Sequence, residues 1–199
     1  VVDVGTTRMD MSSAGLYATW ASPKFYIDGS WRWMDFDAEH NSWAGQHRTS
    51  GNATAFNVEA GFNAFTLAGI DVVPQAQYTR TRITDIAPMQ DEFASFDWEG
   101  GVSERARVGV GLRRGFTSGA MLWTPYGSLN AVRELDGENR YLIGGTYGGT
   151  TSTEGTSALV EVGVGMQTNG FTVTAGVDWT DGGRVDRFVR STMPPALRR

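Results

Sequence analysis

The residues that could do chemistry in this sequence are concentrated in one polar stretch. His40, Ser42 and His47 lie close together, and Asp37 and Glu39 precede them. Histidines with carboxylates can hold a metal ion, and a serine beside a histidine can act as a nucleophile. The spacing of these residues matches neither a metal-binding motif nor a nucleophile–base pair. We therefore expect a solvated loop with no metal site, no cofactor and no catalytic residue, in a protein that is not an enzyme.

Three further motifs resemble functional sites but lack the context that such sites need. Gly109-Val110-Gly111 lies within a strand-like pattern, and the glycine-rich stretch 144–149 lacks the Lys-Ser/Thr pair of a phosphate-binding loop. Asn52-Ala53-Thr54 has the form of an N-glycosylation sequon, which acts only in a eukaryotic secretory route. None of them predicts a ligand.

Composition narrows the classes of function further. The 199 residues carry 17 Lys+Arg against 22 Asp+Glu, and the net charge of -5 argues against a nucleic-acid surface. The absence of cysteine excludes disulfides and thiolate metal sites. The sequence contains no apolar run near the ~20 residues of a membrane helix. This absence does not exclude membrane-spanning strands, because their sequence signal is much weaker than that of a helix.

The dominant pattern is an alternation of apolar and polar residues with period 2, which is typical of strands rather than helices. Segment 25–34, for example, places Ile27, Trp31 and Trp33 on one face and Asp28 on the other. The pattern predicts an all-β, antiparallel fold of about eight strands. The predicted strands are 16–21, 25–34, 56–65, 72–81, 105–113, 123–130, 160–167 and 171–179.

The connections between these strands alternate strictly between short and long. Short turns at one rim and long loops at the other are typical of an up-and-down outer-membrane β-barrel. A soluble sandwich or lipocalin has no reason to segregate loop lengths in this way. The short turns contain Ser22-Pro23-Lys24, Ala68-Gly69, Thr117-Ser118-Gly119 and Asn169-Gly170, and the long polar stretches are 37–53, 84–103 and 134–156.

Alternation alone does not say which face points inward. A soluble, lipocalin-like barrel would use its apolar row to bind an apolar ligand, whereas a membrane barrel turns that row to lipid. Two features favour lipid: the opposite face is polar and rich in glycine, and large aromatic residues recur near strand ends, as interfacial girdles require. These aromatic residues are Trp20, Trp33, Trp123 and Trp179.

Strand direction predicts that both ends of the chain leave the barrel at the long-loop rim. Segment 16–21 runs down to a short turn, and segment 171–179 runs up from one. Bacterial barrels close with even strand numbers, so we expect an incomplete barrel that lacks strands on both sides of this chain. A small complete barrel acting as an adhesin or pore would need both ends at the short-turn rim.

Several blocks of the sequence, taken in order, resemble the C-terminal translocator domain of autotransporters, the type V secretion proteins of Gram-negative bacteria. The resemblance covers most of the chain, and it depends on the order of the blocks because no single block is specific. The blocks are 15–20, 25–33, 59–62, 74–80, 107–112, 125–130 and 160–167.

The resemblance implies a twelve-stranded barrel with an α-helix inside its pore. Such a barrel anchors among the lipids of the outer membrane, is inserted by the barrel-assembly machinery and helps to export a passenger domain in cis to the cell surface. We expect residues 1–189 to form a partial barrel of this kind. Residues 190–199 are expected to be a basic tail outside the barrel, because Pro194 and Pro195 cannot donate to a ladder.

On this interpretation a set of polar side chains points into the lumen. They either hold the pore helix and pass the exported chain, or pair with one another as buried charges in any barrel must. Both alternatives stay open, and Glu59 and Arg107 stand out because both fall in matched blocks. The predicted lumen residues are Glu59, Gln75, Gln77, Arg107, Tyr126, Glu161 and Asp178.

Overall fold

The computed structural model of the chain describes residues 6–42, 45–90, 95–182 and 185–192. Within these ranges every regular element is a β-strand, and no helix is present that could cross a membrane. The strands are β1 (Thr6–Ala21), β2 (Phe25–Ser42), β3 (Gly45–Phe62), β4 (Phe65–Leu67), β5 (Ile70–Thr84), β6 (Met89–Gln90), β7 (Ser95–Arg113), β8 (Phe116–Ser118), β9 (Met121–Asp136), β10 (Glu138–Ile143), β11 (Tyr147–Ser152), β12 (Gly155–Thr168), β13 (Phe171–Gly182) and β14 (Val185–Thr192).

The strands form one antiparallel sheet with up-and-down topology. Its main path runs β1-β2-β3-β5-β7-β9-β12-β13-β14, and the short strands pair at the rims. The eight strands predicted from alternation are present, and β14 adds a ninth to the path. The predicted all-β, up-and-down architecture is therefore confirmed.

One face of the sheet is apolar and exposed. Register places Pro74, Val110, Leu129 and Val160 side by side on β5, β7, β9 and β12. Leu129 is 64% exposed, and among the described residues the buried hydrophobic side chains are few. Because these rows have no protein core to enter, they fit the hydrocarbon of a bilayer. The buried hydrophobic side chains are Ala53, Val73 and Val132.

The opposite face is concave. Arg107 on β7 forms ion pairs with Glu59 on β3 and with Glu161 on β12, although β5 and β9 lie between. Strands two apart are separated by about 9.6 Å in a sheet, so side chains reach across this gap where the sheet curves toward them. The polar rows therefore line the inside of the curve and the apolar rows its outside.

Most residues of the predicted long loops continue the strands, and the prediction of loops there is wrong. β2 runs to Ser42 and β3 begins at Gly45, so the stretch 37–53 is largely a hairpin. The stretch 84–103 contains β6 and the start of β7, and the stretch 134–156 contains β10 and β11. Ladder hydrogen bonds use only the main chain, and hence a polar hairpin can extend beyond the bilayer into water.

Side-chain pairs support the β2–β3 hairpin in that extension. Asn41 Nδ2 donates a hydrogen bond to Glu39 at 3.0 Å, and Arg48 forms an ion pair with Glu39 at 3.1 Å. Hydrogen bonds from Asn41 and Gln46, together with Arg48, hold the pKa of Glu39 below its ordinary value. Polar side-chain contacts thus support the hairpin at this height.

The C-terminal part of the sheet extends past the predicted barrel boundary at residue 189. β14 pairs with β13 from Val185 to Thr192, with Thr192 opposite Gly176. Residues 193–199 of the predicted tail lie outside the described residues. Because β14 is antiparallel to β13, it runs back from the long-loop rim, and the prediction that the C-terminal end leaves the barrel at that rim is wrong. The division at residue 189 and the expectation of additional flanking strands stay predictions.

Placing arginine on the apolar face should impair membrane insertion. Val110→Arg and Val162→Arg, at positions 42% and 51% exposed on that face, are each expected to cost about 2–4 kcal/mol at the bilayer midplane. Heat-modifiable migration of the outer-membrane fraction on gels measures the loss. Thr150→Arg, on the exposed hairpin strand β11, is the control. Normal insertion of both variants would contradict the lipid-facing assignment.

Candidate functional site

The centre of the concave face is an arginine shared by two carboxylates. Arg107 Nη2 donates to Glu59 Oε2 at 2.6 Å, and Arg107 Nη1 donates to Glu161 Oε2 at 3.1 Å. The Arg107 side chain is only 14% exposed. A charge that is so little hydrated needs these partners, because an unpaired charge in this setting is strongly unfavourable. One buried donor, Arg107 Nε, has no partner.

A chain of hydrogen bonds continues from Glu161 across β9 to β5. Ser128 Oγ donates to Glu161 Oε2 at 2.6 Å, and Asn130 Nδ2 donates to Ser128 Oγ at 2.8 Å. Gln75 Nε2 then donates to Asn130 Oδ1 at 2.9 Å. Asn130 is 2% exposed. These contacts and the two ion pairs form one polar network that spans β3 to β12.

A tyrosine extends this network to β2, and a glycine makes room for it. Tyr26 Oη donates to Glu59 Oε1 at 2.7 Å, which leaves Oε2 for Arg107. The Tyr26 ring lies over Gly61, its register partner on β3, where a Cβ would lie 2.5 Å from ring carbon Cε1. Only glycine at position 61 allows the ring to lie flat there and aim its hydroxyl at Glu59.

The remaining predicted residues share the concave face with less direct contact to the network. Tyr126 lies over Gly163, where a Cβ would be 2.5 Å from its hydroxyl. Gln77 stands between Glu59 and Arg107 in register, and Asp178 stands opposite Glu161. The structure therefore brings Glu59, Gln75, Arg107 and Glu161 into one network, and places Gln77, Tyr126 and Asp178 beside it.

Sequence reasoning missed three members of the network. Tyr26, Ser128 and Asn130 lie on the polar rows of their strands but carry no charge that would draw attention. Their role depends on cross-strand register, which the sequence does not state. The one available signal was the polar alternation in 125–130, which placed Ser128 and Asn130 on the same face as Tyr126.

The network lines a cavity of about 580 Å³ on the concave face. Its lining combines charged and polar side chains with apolar ones such as Phe25 and Val73, and it includes the turn Ser22-Pro23-Lys24. The charged and amide side chains offer hydrogen-bonding groups to a polypeptide. The apolar strand rows lie on the convex face, whereas a lipocalin-like barrel would turn them inward. In the part of the chain that the structure describes, no three His, Asp or Glu residues group as a metal site.

The decisive comparison is with protein families. The model of the autotransporter β-domain matches residues 2–178. The chain belongs to the autotransporter β-domain family. It is an outer-membrane translocator domain of a Gram-negative bacterium, and such a domain serves the export of a passenger in cis. No curated protein matches the chain.

Removing the arginine of the network should destabilise this autotransporter β-domain. Arg107→Ala leaves Glu59 and Glu161 facing each other without a cation, and we expect a loss of about 3 kcal/mol. The measurement is the urea midpoint of the detergent-solubilised domain.

Two further variants test whether the loss comes from the stranded carboxylates. Adding Glu59→Gln and Glu161→Gln to Arg107→Ala should restore much of the stability, because no uncompensated charge is then left. Arg32→Ala, at an exposed position, is the control and should have little effect. Equal midpoints for Arg107→Ala and the triple variant would refute the electrostatic account.

Proposed function

We propose that the polar concave face of this β-domain lies against the polypeptide that occupies the pore during export. The observation that carries the proposal is the continuous polar network from Tyr26 to Glu161, which lines the cavity on the side away from lipid. An extended chain has main-chain donors and acceptors along its whole length, and the network offers both kinds of partner.

Among the buried polar side-chain atoms of the network, Arg107 Nε alone lacks a partner, so the network can serve without a fixed ligand. Glu59, Arg107 and Glu161 neutralise part of one another's charge, and the amide and hydroxyl groups of the same network can exchange partners with a passing chain. The alternative that the residues serve only to hold the sheet together predicts that export is insensitive to the cavity once the barrel has assembled.

We propose two further partners, outer-membrane lipids and the barrel-assembly machinery. The apolar convex rows support direct contact with outer-membrane lipids, and the up-and-down sheet supports insertion by the barrel-assembly machinery. The domain is proposed to have no catalytic step of its own. His47 lies on the β2–β3 hairpin rather than in the network, and the side chains of His40 and Ser42 fall outside the described part of the structure.

Filling the cavity should block export without preventing assembly. Gly111 lines the cavity, and a Cβ there meets Gln75 Oε1 no closer than 3.4 Å. Gly111→Trp should therefore fold and project an indole into the cavity. The measurement is protease-accessible passenger on the surface of cells that express the whole gene product.

A neighbouring glycine supplies the matched control. Gly127 borders the cavity only with its backbone, because it stands opposite Leu112 and a Cβ on it would point to the apolar face, 3.7 Å from Val162 Cγ1 and 3.5 Å from its nearest atom. Gly127→Trp adds the same side chain toward lipid and should leave export unchanged. Full export by a heat-modifiable Gly111→Trp barrel would count against the proposal.

A further inference from the structure

The extracellular part of the chain contains a small sheet whose inner face is aromatic. β10 pairs with β7 on one side and with β11 on the other. Tyr141 stands opposite Trp98, and Ile143 stands opposite both Phe96 and Tyr147. These five residues share one side of the small sheet, and we call that side the aromatic face.

The aromatic face belongs to the concave side of the main sheet. Gly101 and Arg107 are six residues apart on a regular part of β7, so a Cβ at position 101 would point to the same side as the Arg107 side chain. Asn139 lies on that side too, because a Cβ on Gly101 would be 2.0 Å from Asn139 Oδ1. Tyr141 follows Asn139 by two residues on β10 and therefore shares its side. The aromatic face continues the polar concave surface toward the extracellular end.

The aromatic side chains are ordered against one another but incompletely covered. Phe96 and Tyr141 stack with centroids 5.5 Å apart at an interplanar angle of 20°. Trp98 is 39% exposed, Ile143 is 42% exposed and Tyr147 is 76% exposed. Exposed aromatic residues that lie together on one surface are typical of sites that bind another polypeptide.

Lipid is a poor partner for this face. In the membrane-spanning part of the sheet, apolar side chains lie on the convex side, and the aromatic face lies on the concave side. The opposite side of the same hairpin carries Arg140 and Thr150, both exposed. Leu142 is the large apolar side chain on that opposite side of β10, so beyond the bilayer most of the large apolar side chains of this small sheet lie inside and the charged ones lie outside.

We propose that the aromatic face binds apolar segments of the passenger as they leave the lumen in extended form. The inference rests on the proposed function, since the aromatic face continues the concave surface along which the exported chain is proposed to pass. Aromatic side chains have few rotatable bonds and no net charge, so the face can hold many different apolar side chains with little entropic cost and little selectivity. Contact with this face would shield those segments from water until the passenger folds.

Photo-crosslinking during export tests the proposal. A crosslinking phenylalanine analogue is placed at position 147, on the aromatic face, or at position 150, on the opposite side of the same strand. Cells that make the whole gene product are irradiated while pulse-labelled passenger is in transit. We expect crosslinks to passenger from position 147 and none from position 150. Equal yields, or crosslinks only to another copy or to the domain itself, would overturn the proposal.

A kinetic measurement gives a second readout. Trp98→Ser with Tyr147→Ser should delay the appearance of protease-resistant folded passenger, whereas Leu142→Ser, on the other side of β10, should not. Heat-modifiable migration checks that each barrel has assembled. If the unaltered domain exports nothing, the proposed function fails; if it exports normally and position 147 never contacts passenger, only this inference fails.

Discussion

The structure depends on one constraint: every main-chain donor and acceptor that enters the bilayer must be satisfied within the protein. Lipid hydrocarbon offers no hydrogen bonds, and an unsatisfied peptide group there costs several kcal/mol. An up-and-down antiparallel sheet meets this requirement for every strand with a neighbour on both sides, as in the seven inner strands of the main path. The edge strands β1 and β14 need further partners for the same reason. Strand geometry then sends alternate side chains to opposite faces, and one face must suit lipid while the other suits water and polypeptide.

The charged side chains of the polar face need partners of opposite charge, and Arg107 is that partner for two carboxylates. A sheet that curves brings side chains from strands two apart within reach, and Arg107 uses this closeness to pair with Glu59 and Glu161. Large rings on this face also need room on the neighbouring strand, and a glycine at the register partner supplies it. Gly61 accommodates the Tyr26 ring, and Gly163 accommodates Tyr126. Curvature thus permits the charge pairing of Arg107, and glycine placement permits the tyrosine rings beside it.

The sequence predicted the strands and their two faces because period-2 alternation is a direct consequence of that constraint. It also placed Glu59 and Arg107 on the polar face, where the structure joins them by an ion pair. The prediction failed for the stretches 37–53, 84–103 and 134–156 because polarity was taken to mean loop. Outside the bilayer a strand keeps its ladder hydrogen bonds and no longer needs an apolar side, so the pattern that identifies membrane strands disappears there. Tyr26 was missed for a different reason: its contact with Glu59 depends on cross-strand register.

The side chains on the convex face differ between the membrane-spanning part of the sheet and the part beyond it, because the first meets hydrocarbon and the second meets water. Within the bilayer the convex face meets hydrocarbon, so apolar residues such as Leu129 lie outside and the network of Arg107 lies inside. Above the bilayer water surrounds the convex side, and side chains such as Arg140 and Thr150 can lie outside. Water alone does not explain why Trp98 and Tyr147 lie on the concave side, because a hydrated interior is better served by polar residues. An apolar inner surface in that position is explained by an apolar partner, and on our proposal that partner is the exported polypeptide.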